Sequence, residues 1–66
     1  MEFTAELIAK NREQKQQIID LIDKFGIDFE ITEGDNGTYS IVIFEITKKE
    51  LDEIFETVEG LDQEQM

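Results

Sequence analysis

Hydrophobic and polar residues recur along this chain at spacings that specify a helix, two strands and a second helix. From Thr4 to Phe25, Leu7, Ile8, Ile18, Ile19, Leu21, Ile22 and Phe25 gather on one broad face of a helical wheel, with Arg12, Glu13, Gln16, Asp20, Asp23 and Lys24 opposite. The spacing predicts one amphipathic helix, capped by Thr4, stapled by Phe3 and Ile8, and stopped by Gly26. Asn11, Gln14 and Lys15 interrupt its apolar face. They leave a second partition open, with Glu2 to Ala9 as a strand and Asn11 capping a shorter helix.

Ile27, Phe29 and Ile31 then alternate with Asp28, Glu30 and Thr32, the period of a half-buried strand, and Thr38 to Ile46 follows after Gly34-Asp35-Asn36-Gly37. A two-residue turn at Asn36-Gly37 would set Ile31 opposite Val42, Phe29 opposite Phe44 and Ile27 opposite Ile46, all on one side. On the other side Tyr39, Ile41 and Ile43 would lie among Asp28, Glu30, Thr32 and Glu45. Such large side chains do not face water together without a reason, so these three are the expected apolar interface. An irregular segment, the alternative amino-terminal strand or a second copy would cover them. Pairing of the second strand with its symmetry mate makes the homodimer the expected form.

Thr47-Lys48-Lys49-Glu50 fits a capping box, and Leu51, Ile54, Phe55 and Val58 form the apolar stripe of a last helix ended by Gly60. The expected fold is therefore α+β: a small single domain over residues 1–60, helix–β-hairpin–helix (αββα), with its sheet extended by homodimerisation. Residues 61–66 are expected to form a frayed acidic tail.

Composition narrows the chemistry. Among 66 residues there are 17 Asp or Glu, 6 Lys or Arg, no His and no Cys, a formal net charge of −11. Imidazole bases, thiolate nucleophiles, disulfides and the usual zinc sites are excluded, and no cofactor or metal is expected. Direct binding of nucleic acid, which needs Lys and Arg against phosphates, is not expected either. A membrane span needs about 18 consecutive apolar residues, and no run approaches that length, so a cytoplasmic protein is expected, in the host cell if phage-encoded. Glu33, Asp35 and Asn36 lack the ligand series of a calcium loop.

Charge is unevenly placed. Residues 1–26 hold five acids and four bases, whereas residues 27–66 hold twelve acids and two bases. Asp52, Glu53, Glu56 and Glu59 recur at steps of three and four, which puts carboxylates about 5–6 Å apart along one helix. Glu50 begins this series, and Asp28, Glu30, Glu33, Asp35 and Glu45 of the hairpin are expected to extend it into one acidic strip. Like charges at this spacing weaken a helix, so the arrangement suggests a purpose beyond stability.

In size, charge and its acidic helix and hairpin, the chain resembles the small acidic DNA-mimic proteins that phages and mobile elements direct against host nucleoid proteins, repair enzymes and defence nucleases. That resemblance implies a stoichiometric, non-enzymatic inhibitor occupying the basic DNA-binding surface of a host protein. The rival expectation is a small structural or regulatory homodimeric module whose acids serve only solubility.

Overall fold

The computed structural model describes residues 1–58 and 60–63, with side chains described for residues 1–58, 60 and 61. The elements are β1 (Glu2–Ala9), α1 (Arg12–Phe25), β2 (Phe29–Glu33), β3 (Tyr39–Thr47), α2 (Lys48–Thr57) and β4 (Asp62–Gln63). The fold is α+β, but its order is β-α-β-β-α with a two-residue fourth strand, not αββα. The first six residues of the expected helix, Thr4 to Ala9, belong to a strand: Phe3, Ala5, Leu7 and Ala9 alternate with Glu2, Thr4 and Glu6.

The three residues that interrupt the apolar face of the expected long helix each have a local task. Asn11 is the N-cap of α1, and its side chain accepts the Gln14 N–H at 2.8 Å. Gln14 is buried and accepts the Lys10 N–H at 2.8 Å, which closes the turn from β1. Lys15 holds its Nζ 4.8 Å above the Tyr39 ring. Gly26 ends α1 as expected, at φ 73°, a left-handed conformation glycine adopts without steric cost.

The strands pair antiparallel in the order β2-β3-β1-β4. With the chain order, this is the split βαβ arrangement, in which β3 lies between β1 and β2. Both edges of β3 are therefore taken, and the expected pairing of that strand with its symmetry mate has no free edge to use. Residues 62 and 63 pair with Ile8 and Leu7, and Leu61 packs against the core, so this part of the expected frayed tail is structured.

Two irregularities decide which side chains point inward. Glu33 faces Tyr39, and the Gly34 N–H donates to the Thr38 carbonyl at 2.7 Å, so the hairpin turns through Asp35, Asn36 and Gly37 rather than two residues. Gly37 takes φ 75°, the left-handed position that a three-residue loop requires. Ile31 thus faces Ile41 and Phe29 faces Ile43, one residue away from the expected register. The second irregularity lies where β3 passes β1: Phe3 faces Ile46 and Ala5 faces Ile43, so Phe44 and Glu45 together oppose Thr4. In this bulge Glu45 takes φ 58°, at a cost of about 1–2 kcal/mol for a residue with a Cβ.

Both helices pack on one face of the sheet. Leu7, Ile41, Ile43 and Ile46 from the strands meet Ile18 and Ile22 of α1 and Ile54 of α2, all at 0–1% exposure. Burial of each such side chain contributes about 1.5–3 kcal/mol. The expected capping box is present: Thr47 Oγ1 accepts the Glu50 N–H at 3.2 Å and Glu50 Oε1 accepts the Thr47 N–H at 3.0 Å. The helix closes at Val58, before the expected stop at Gly60.

Candidate functional site

The one-residue shift in the hairpin exchanges the faces of β3. Ile41 and Ile43, expected at an interface, are fully buried beneath the helices, and Tyr39, half-buried, lies on the same side beside Lys15. None of the three forms an exposed patch. The open face instead presents Ile8 of β1 with Val42 and Phe44 of β3, the first two half-buried and Phe44 37% exposed. Hydrophobic alternation in residues 2–9 was the signal that would have located this face, because a strand there gives β3 a second neighbour.

The acidic residues around this face follow from the register. Val42 stands directly between Glu6 of β1 and Glu30 of β2, both exposed. Two strand spacings set these glutamates about 10 Å apart at the backbone. One row along, Ser40 stands between Ile8 and Thr32, and its hydroxyl donates to Glu6 Oε2 at 2.6 Å, which holds that carboxylate over the sheet. At the bulged end the Phe44 N–H donates to the Asp28 carbonyl at 3.0 Å. Strands β1, β2 and β3 carry Glu2, Glu6, Glu30, Glu33 and Glu45 and no Lys or Arg. Five of the six basic residues lie in the two helices, and the sixth, Lys10, in the turn before α1.

The expected acidic strip is divided among separate places. Asp28, Glu45 and Glu50 join Glu2 around a cleft of about 340 Å³ at the bulged end of the sheet, with Phe25 and Phe44 in its wall. Among the described residues no three of Asp, Glu, His or Cys converge in the geometry of a metal site. Asp52, Glu53 and Glu56 share a shallow groove on α2 with Lys48 and Lys49. These lysines stand four residues before Asp52 and Glu53 and reduce the field of the ridge. Glu50 is committed to the helix cap, and Glu59 lies outside the described residues. Glu33 and Asp35 are exposed at the hairpin end, about 20 Å along β3 from the bulge.

Among the described residues no helix is long and apolar enough to cross a membrane. Comparisons with protein-family models, with curated proteins and with solved structures find no match to this chain. Function is therefore argued from the surface itself, since many unrelated activities share any one small fold.

Proposed function

We propose that the protein is a non-enzymatic acidic inhibitor that occupies the basic nucleic-acid-binding surface of another protein, imitating the charge of DNA. The observation that carries this reading is the exposed carboxylates on three base-free strands, Glu6 and Glu30 foremost, in a chain of net charge −11. The expectation of a homodimer rested on a free β3 edge and an exposed Ile41 and Ile43, and neither premise remains. The functional unit proposed is the single chain in the cytoplasm, where basic DNA-binding proteins act.

The test is binding to a panel of purified basic DNA-binding proteins: a nucleoid protein, a repair glycosylase and a restriction nuclease. Affinity for at least one should fall steeply with salt and be lost to competing duplex DNA, as electrostatic occupation of a phosphate site requires. Glu6→Gln with Glu30→Gln should weaken it at least tenfold. If no panel member binds at low ionic strength and the double variant alters only solubility, the acids serve solubility alone and the rival module is correct.

A further inference from the structure

The open face of a sheet normally carries polar residues, yet here an apolar group sits between acidic residues on strands that carry no Lys or Arg. The geometry points to this face as a docking surface for a cationic amphipathic segment of a partner protein. Its apolar side chains would settle on Ile8, Val42 and Phe44, and its Lys or Arg side chains would meet Glu6 and Glu30. The inference rests on the acidic-inhibitor reading above and deepens it by assigning the centre of contact.

Three observations choose this occupant. The Glu6–Val42–Glu30 row places an apolar residue midway between two exposed carboxylates, about 10 Å apart at the backbone, a span that a helix about 10–12 Å wide covers with its apolar face down and its basic flanks on either side. A second copy of this chain is disfavoured, because the same acids would be brought against one another. A nucleic acid is disfavoured for the same reason. Lys15, Lys48 and Lys49 belong to the helices and not to the strands that make this face. Charge complementarity would set the association rate and its salt dependence, while the apolar centre would set the lifetime of the complex.

Two synthetic peptides of identical Lys, Arg and Leu content test the assignment. One is arranged as an amphipathic helix with a continuous Leu face, the other scrambled so that no such face forms. The amphipathic peptide should bind at least tenfold more tightly by calorimetry, and its NMR shift changes should centre on the amides of Ile8, Val42 and Phe44. Val42→Lys should reduce its affinity at least tenfold, with circular dichroism showing the fold retained. Should that variant unfold, Val42→Thr, closer in shape, is read instead and should lose at least threefold. Equal binding of the two peptides, or shift changes centred on α2, would overturn the inference. So would a dimer in sedimentation that Val42→Lys converts to a monomer, because a second copy would then own the face. If a panel protein binds and Val42→Lys makes no difference, only this inference fails. If the amphipathic peptide binds at the open face but no DNA-binding protein does, only the DNA-mimic reading fails.

Discussion

The helix-covered face of the sheet and its open face are built from alternate residues of the same strands, but they solve different problems. Under the helices β3 places Ile41, Ile43 and Ile46, all fully buried, and β1 places Leu7 and Ala9 beside them. On the open side the same strands place Glu6, Ser40, Val42 and Phe44, half-buried or exposed. The helical layer carries seven acids and five bases, near balance, whereas the three longer strands carry five acids and no base. Part of the charge excess, which along the chain looks like a contrast between an amino-terminal and a carboxy-terminal part, is in space a contrast between layers, with −5 on the three strands and −2 on the helices. It teaches that the strands, which place Glu6 and Glu30 on the side that packing leaves uncovered, carry no base of their own.

That contrast can be broken most severely at Ile43. Ile43→Ala removes atoms from the covered face and should destabilise the protein by about 2–5 kcal/mol. Domains of this length have about 3–10 kcal/mol in total, so partial unfolding at room temperature is expected in urea titrations. A smaller effect of opposite sign is expected at the bulge. Glu45→Gly relieves a positive φ and should raise the denaturation midpoint by the equivalent of about 0.5–1 kcal/mol, net of glycine's greater unfolded-state entropy. The smallest effect belongs to the open face: Val42→Thr, next in sequence to Ile43, should change stability by about 0.5 kcal/mol or less. A loss at Val42 comparable to that at Ile43 would mean the two faces are not energetically distinct.

Much of the helical layer was legible in the sequence. Thr47 and Glu50 announce the capping box, and Gly26 announces the end of α1, because each signal is local. The strand β1 was less legible, since Leu7 and Ile8 suit a helical face as well as a pleated one. The amino-terminal strand stood only as the second partition, and Asn11, Gln14 and Lys15 look like defects until their partners are known. Ile41 and Ile43 were expected on the exposed face for a related reason. Asn36-Gly37 suits both a two-residue and a three-residue loop, and the choice between them inverts both faces of β3. Apolar residues occupy both phases of β3, so alternation could not arbitrate. Ile46, which the bulge moves onto the face of Ile41 and Ile43, falls in the numerical phase of Val42 and Phe44 and so supported the wrong register.

The bulge at Phe44 and Glu45 also bears on how this chain tolerates changes in its length. In a regular strand the loss of one residue turns every later side chain to the opposite face. Here Phe44 and Glu45 share a single partner, Thr4, so a chain lacking Glu45 would run as an unbroken strand with Ile46 still inward and Thr47 still at the helix entrance. Loss of Val42 would instead set Ile43 out of step with Ile41. Position 45 is thus a spare beat in the strand, where the gene can drop a codon without reversing the protein's two faces.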